Sequence, residues 1–549
     1  MSERILSERI LSERIVVVGA GLTGVQAAQT LLEAGASVLM LDGGATGNPS
    51  NEPPMDRTFL SLRTEDHTQH RYFLGDHMEA VATPAGRPGS QLTPTRKFVM
   101  EGVERWLRFR SDSFTPMETL AQGGLGNAWG VGCYHFSDQD LESAGLPRGE
   151  ICDGYQVIAD RIGVQACDDD TSPFCGGDVK GFQPVMDMDA AANDLYARYR
   201  RRRDSMVRSG MYVGRPALAV LTQSKDGRRP INYDNMDFYT DQRETAYRPW
   251  ITLNQLKQNP RFEYRGDIVV TSFQETEDGV GVRGFVMHGD QRTPVTVHAR
   301  KLVLCAGAIG SMRIVARSQR GGLEHKFPIL TNPCDYLLGL QPARIGKPLG
   351  EKTSSFAQLA VFYRPPGEDA VAYSGGSIYT YQALMLFRLA REAPLSFALA
   401  RDILQYLQTS LVMIGMTYPD WPVAGNFLKL VRDQDSPTGD VLTAEYDVSP
   451  RQTMMRSKTL GAIKRTFPSM GCIIASSVRG KNGFSSHYAG TIPYSNEERE
   501  FTLAADGRLN GTRSVYVADG SGFRFLPALG LSWTIMANAH RTAKALARA

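Results

Sequence analysis

Residues 15–42 constrain what this chain can fold into more than any other stretch. Ile15–Val18 is an unbroken β-branched run, as a strand buried on both faces requires. Gly19, Gly21 and Gly24 follow as GxGxxG, and Val25, Ala28, Leu31 and Leu32 then recur at helical spacing up to Gly35, a C-terminal stop. A second strand, Ser37–Leu41, ends in Asp42. The three glycines do different things. Gly19 permits the tight turn, Gly21 admits a pyrophosphate close to the backbone, and Gly24 lets helix and strand approach. Asp42 is placed to accept hydrogen bonds from an adenosine ribose. Strand, glycines, helix, second strand and acid together predict a dinucleotide site, without separating FAD from NAD.

At 549 residues the chain exceeds a single hydrophobic core, so two or three domains are expected. A net charge of +3 gives no reason to expect nucleic acid or an anionic membrane as partner. The seven cysteines form no CxxC pair and fit neither a zinc site nor a disulfide framework, so no metal and a reducing, cytoplasmic setting are expected. No apolar run reaches the roughly 18–20 uncharged residues of a transmembrane segment. The opening SERIL repeat lacks a signal-peptide core and reads as a local duplication or cloning scar.

Further along, Lys97–Arg110 has the pattern of an amphipathic helix, and Gln122–Gly130 packs four glycines into nine residues, as a backbone pressed against a flat ligand would. A helix is expected around Ala191–Met206. Its arginines, Arg198 and Arg200–Arg203, read as a solvated face, and Asp168–Asp170 reads as a polar loop rather than a metal site. Asp267–Phe273 and Gly281–Met287 look like a β-meander, and Lys301–Cys305 is a strand running into Ala306, Gly307 and a helix. The apolar stretch Tyr379–Leu407, interrupted by Arg388, Arg391, Glu392, Arg401 and Asp402, is expected to pack into the core of a second domain rather than to dock on a membrane. At the C-terminus come Ser486–Thr491, a strand Ser514–Ala518, Asp519-Gly520-Ser521 and a helix over roughly Ser532–Ala547.

In this order the pieces resemble the glucose–methanol–choline (GMC) family of FAD-dependent oxidoreductases. The likeness rests on the fingerprint at 19–24, the loop Gly123–Gly130, the junction Cys305–Ser311, the HxxGT motif His487–Thr491 and the segment beginning at Asp519. It covers most of the chain but little of 335–480. The fold implied is α/β: a Rossmann-like FAD-binding domain with a second, α+β substrate-binding domain inserted discontinuously. Residues 13–60, 90–150, 230–334 and 480–549 fall to the first, and 61–89, 151–229 and 335–479 to substrate-binding or cap regions.

By resemblance, Asp42 takes the ribose and Val269 or Val270 lies near the adenine. Gly123, Gly124 and Asn127 lie along the flavin, with Ala306 and Gly307 close to it. Asp519 and Gly520 reach the pyrophosphate or ribityl region, and Gly530, Leu531 and Ser532 aim a helix N-terminus at the pyrimidine end. Some relatives attach FAD through a His in the glycine loop; Ala128 stands here, so FAD should be non-covalent. His487 is the candidate base for a CH–OH substrate, a sugar-like or other small-molecule alcohol, with oxygen or another electron acceptor closing the cycle.

The resemblance breaks at one point. The family places a second His or Asn near the start of the last helix, where this chain has Gly530, and no His or Asn occurs between Asp519 and Asn538. The alternative expectation is therefore a non-redox lyase or isomerase with structural FAD.

Overall fold

The computed structural model describes residues 14–48, 52–82, 89, 92–236, 239–348, 350–380, 389–391 and 393–548. The SERIL repeat, apart from its end, lies outside them.

Strands β1 (Ile15–Val18), β2 (Val38–Leu41), β4 (Phe262–Arg265), β5 (Lys301–Leu304) and β11 (Val515–Val517) form a parallel sheet in the order β11-β5-β1-β2-β4. Every residue of β1 and β2 is buried, which is why both read as continuous apolar runs. Three helices pack on or beside this sheet: α1 (Leu22–Glu33), α2 (Gly307–Ser318) and α3 (Ser532–Arg548). A hydrogen bond of 2.8 Å between Thr30 Oγ1 and His540 Nδ1 ties α1 to α3. The fold is α/β and Rossmann-like.

A second, antiparallel sheet runs β10-β6-β9-β8-β7-β3. Its members are β3 (Met211–Gly214), β6 (Cys334–Leu340), β7 (Leu359–Tyr363), β8 (Ser374–Tyr379), β9 (Leu411–Thr417) and β10 (Ile473–Arg479). Burial alternates along β6 and β9, so each strand has two distinct faces. One face packs Leu337, Val361, Ile378 and Ile414 against the helices Ala190–Arg208 and Pro450–Thr466. The other looks toward the Rossmann-like sheet across a cavity. In a smaller sheet the hairpin Phe427–Arg432/Asp440–Glu445 pairs with Phe109–Arg110 and Phe327–Pro328. Residues assigned from sequence to different domains thus share one sheet.

Two local expectations fail. Lys97–Arg110 is not one helix: a 3₁₀ turn at Pro94–Val99, a single turn at Val103–Trp106 and a two-residue strand replace it. Gly102, in the left-handed region at φ 72°, breaks the segment. In the described part of the Tyr379–Leu407 stretch only Thr380, Ala390 and Ala400 are buried. Helix Phe397–Leu407 buries only Ala400, while Phe397, Leu399, Ile403 and Tyr406 are 41–63% exposed. The sheet face that could receive it is already occupied by the two helices named above. Residues 381–388 lie outside the described set.

Arg200–Arg203 is solvated, with Arg203 paired to Asp170. Among the described residues no cluster could hold a metal, all seven cysteines are unpaired, and no helix is long and apolar enough to cross a membrane.

Candidate active site

The cavity between the two sheets begins at the fingerprint. Gly19 turns the chain at φ 100°, and a Cβ there would stand 2.5 Å from Cys305 O. A Cβ on Gly24 would lie 1.8 Å from Gly19 O, so α1 can approach the turn only without a side chain at 24. Gly21 differs: a Cβ would meet nothing nearer than Gly123 O at 3.9 Å, because this glycine faces the cavity. Gly21 precedes helix α1 and supplies no side-chain cap, and no acid stands in the first turn, leaving amide hydrogens for an anion. Gly307 likewise lines the cavity with open space about it.

Asp42 lies at the end of β2. Its Oδ1 accepts from Ala20 N at 2.9 Å; its Oδ2 accepts from Gly44 N at 3.0 Å and from Tyr264 Oη at 3.1 Å. Burial raises its pKa to about 6 despite these donors. Asp42 therefore pins the fingerprint loop as well as facing the cavity, beside Val269 and Val270. We expect Asp42→Ala to orphan two backbone amides, at roughly 1–3 kcal/mol each, and to weaken dinucleotide retention. The check is urea unfolding of the apoprotein alongside a cofactor titration. Unchanged stability would show that the loop does not depend on this carboxylate.

Asp519 is buried on the same cavity. It accepts from Ser311 Oγ and Ser521 Oγ, each at 2.5 Å, and from Ser521 N at 2.9 Å. Gly124, Ala128, Ala306, Gly520, Gly530, Leu531 and Ser532 also line the wall. Gly24, Gly123 and Asn127 do not line it. Asn127 instead braces the glycine loop, donating from Nδ2 to Gln122 O and Gly124 O. Uncapped amides, two buried carboxylates and cavity-facing glycines in one continuous cleft fit an extended dinucleotide such as FAD.

His487 lies at the far end. Tyr488–Ala489 pairs antiparallel with Leu330–Thr331, Thr331 opposite Tyr488, and this register brings Asn332 alongside His487. Asn332 Oδ1 lies 2.8 Å from His487 Nδ1, and Asn332 Nδ2 donates to Tyr418 O at 2.8 Å and Pro527 O at 2.9 Å. Both amide hydrogens are spent on carbonyls, so the oxygen must face the histidine. That assigns the proton to Nδ1 and leaves the Nε2 lone pair free. Burial lowers the His487 pKa to about 4, so the ring is neutral near pH 7. Ser486, immediately before it, holds a left-handed φ of 59°.

Asp420 fixes this arrangement from below. Its carboxylate accepts from Thr331 N, Tyr446 Oη and Gln452 Nε2, and its backbone exchanges two hydrogen bonds with Leu526. Sequence reading found neither Asn332 nor Asp420. An isolated Asn or Asp carries no motif; only strand register reveals what each one holds.

The two halves of the cavity differ in charge. The charged wall residues, Asp42, Glu118, Arg313, Arg317 and Asp519, all lie on the side of the Rossmann-like sheet. Glu118 pairs with Arg313 at 2.8 Å, and Arg317 with Asp440 at 2.6 Å. The six-stranded sheet contributes tyrosine, serine, threonine, glycine and apolar side chains, and no charged one among the described residues.

Comparison with known proteins agrees with this architecture. Paromamine 6'-oxidase of Streptomyces fradiae is 23% identical over 97% of this chain and 91% of its own length. The 6'''-hydroxyparomomycin C oxidase of Streptomyces lividus is also 23% identical, over 97% and 90%. The solved structure of pyridoxine 4-oxidase from Mesorbium loti superposes with a TM-score of 0.57 at 14% identity, covering 97% of this chain and 98% of that one. No family model matches. Both relatives are named as oxidases, and the solved structure shares this chain's fold over nearly its whole length.

Proposed function

We propose that this chain is a GMC-family enzyme that binds FAD non-covalently and oxidises a hydroxyl of a sugar-like or other small alcohol, with His487 as the base. The observation that carries the reading is the fixed tautomer of His487. Asn332 holds Nδ1–H, which leaves the Nε2 lone pair free, and His487 lines the same cavity as the dinucleotide fingerprint. Bound FAD supplies the two-electron acceptor. The protein's part is to hold the alcohol, take the hydroxyl proton at Nε2 and stabilise the imidazolium through Nδ1–H and Asn332 Oδ1. Relatives named paromamine 6'-oxidase and 6'''-hydroxyparomomycin C oxidase support the reaction class. The uncharged wall of the six-stranded sheet favours a substrate that turns hydroxyls or a ring face toward it, rather than an ammonium group.

The purified protein should be yellow, release free FAD on acid denaturation, and bleach anaerobically with an alcohol from a panel of paromamine, glucose, pyridoxine and benzyl alcohol. Flavin left on the polypeptide would remove the non-covalent assignment. Colourless protein that binds NAD would remove FAD. A yellow protein that no alcohol bleaches would leave the cofactor in place and reject alcohol oxidation.

A further inference from the structure

Gly530 stands beside a tyrosine. A Cβ on Gly530 would lie 3.4 Å from Tyr134 Cδ2 and 3.8 Å from Cε2, and a Cβ on Gly132 would lie 2.5 Å from Tyr134 Cε2. Neither glycine has a positive φ, so the backbone demands glycine at neither position. What both have in common is the Tyr134 ring, which lies against each of them. Strained Val131, at φ 55°, and single bridges from Gly132 to Leu218 and from Tyr134 to Cys175 fix the approach of this segment.

The hydroxyl of Tyr134 lies 3.1 Å from Ser377 Oγ on β8, and both residues line the cavity. The same end of the cavity holds His487. Asn332 joins the His487 ring to the carbonyl of Pro527, three residues before Gly530. Thr417 Oγ1 joins β9 to the carbonyl of Ala528, and a Cβ on Gly375 would lie 2.4 Å from that oxygen. The turn Pro527–Gly530 is therefore held between His487 on one side and the Tyr134–Ser377 pair on the other.

We propose that Tyr134, seated between Gly132 and Gly530 and hydrogen-bonded to Ser377, donates its hydroxyl to the substrate oxygen opposite His487. It thereby supplies the polar contact that the glycine at 530 cannot. The proposal rests on the alcohol-oxidising reading above. Ser377 accepts or donates as the substrate requires, so the tyrosine hydroxyl stays oriented whether or not substrate is bound. Burial raises the Tyr134 pKa far above its usual value, so the group remains a donor throughout the working pH range. A donor aimed at an oxygen that gains negative charge as its proton leaves for His487 acts more strongly in the transition state than on the resting alcohol.

The test uses full-length holoenzyme and any alcohol that the wild type oxidises, paromamine first. Tyr134→Phe keeps the ring between the glycines and removes only the oxygen. We expect FAD content and melting temperature close to wild type, with anaerobic flavin reduction at saturating alcohol slowed about tenfold to a thousandfold. Calorimetric titration of dithionite-reduced Tyr134→Phe, which cannot turn over, should show affinity for the same alcohol weakened only a few-fold. The effect would then fall on kcat more than on KM. Tyr134→Ala should also be slow. Adding Gly530→Asn to it, which fills the vacated space with an amide, should recover at least threefold, whereas Gly530→Asn alone should bring no gain. Flavin reduction in Tyr134→Phe within threefold of wild type, or a tenfold gain from Gly530→Asn alone, would overturn the proposal and leave the alcohol-oxidising reading standing. If the wild type oxidises no alcohol, both fall together.

Discussion

Replacing His487 by alanine should leave the protein yellow and folded while slowing substrate-driven flavin reduction by about 10²–10⁴-fold, the usual contribution of a positioned general base. The ring makes one side-chain hydrogen bond, to Asn332, and Asn332 keeps its two carbonyl acceptors without it. The scaffold around the site should therefore survive the truncation. The pH dependence carries independent information. Because burial lowers the His487 pKa to about 4, the neutral, base-competent ring persists well below the pH at which a free histidine would protonate. The wild-type reduction rate at saturating alcohol should hold level from pH 8 to about 5, then fall as His487 is protonated. Stopped-flow absorbance across that range is the measurement. An acid limb near pH 6.5 would mean that the ring is solvated in the working enzyme, and an alanine variant within threefold of wild type would remove His487 from the reaction.

Gly24→Ala should have an equally large effect by a different route. The new methyl would sit 1.8 Å from Gly19 O and 2.9 Å from Gly19 C, both backbone atoms, with no flexible side chain to yield. Helix α1 must move off the sheet or the Gly19–Gly21 turn must open, and either change displaces the uncapped amides that face the cavity. We expect cofactor affinity to fall at least a hundredfold, with a clear loss of melting temperature. Gly149→Ala is the control: it lies in the helix Arg148–Ile162 with nothing within 4 Å of its Cβ, so alanine should be neutral or mildly stabilising. Tight FAD binding by Gly24→Ala protein would show that the close contact relaxes without moving the loop.

How much of this was legible in the chain differs from element to element. The parallel core and its ligand-facing turn are written in local sequence. Ile15–Val18 and Val38–Leu41 are apolar at every position because both faces of a parallel strand are covered, and the glycine spacing follows from contacts within one short βαβ unit. The terminal helix was equally plain, because no Pro or Gly interrupts it. Local information failed where backbone freedom or competition for a surface governed the outcome. Gly102 broke an amphipathic pattern that read as one helix, and Phe397–Leu407 lost its place in the core to two helices distant in sequence.

What surrounds His487 emerges only on folding. His487 could be singled out by its motif, but its tautomer depends on Asn332, 155 residues away, brought there by the register of a two-residue ladder. Gly530 reads in sequence as a missing residue. In the folded chain it is one wall of a slot filled by Tyr134, nearly four hundred positions earlier. A sequence motif records contacts between residues close along the chain. Register, crossing strands and the exclusion of one side chain by another act between residues that meet only after folding, and they fix the chemistry of this site.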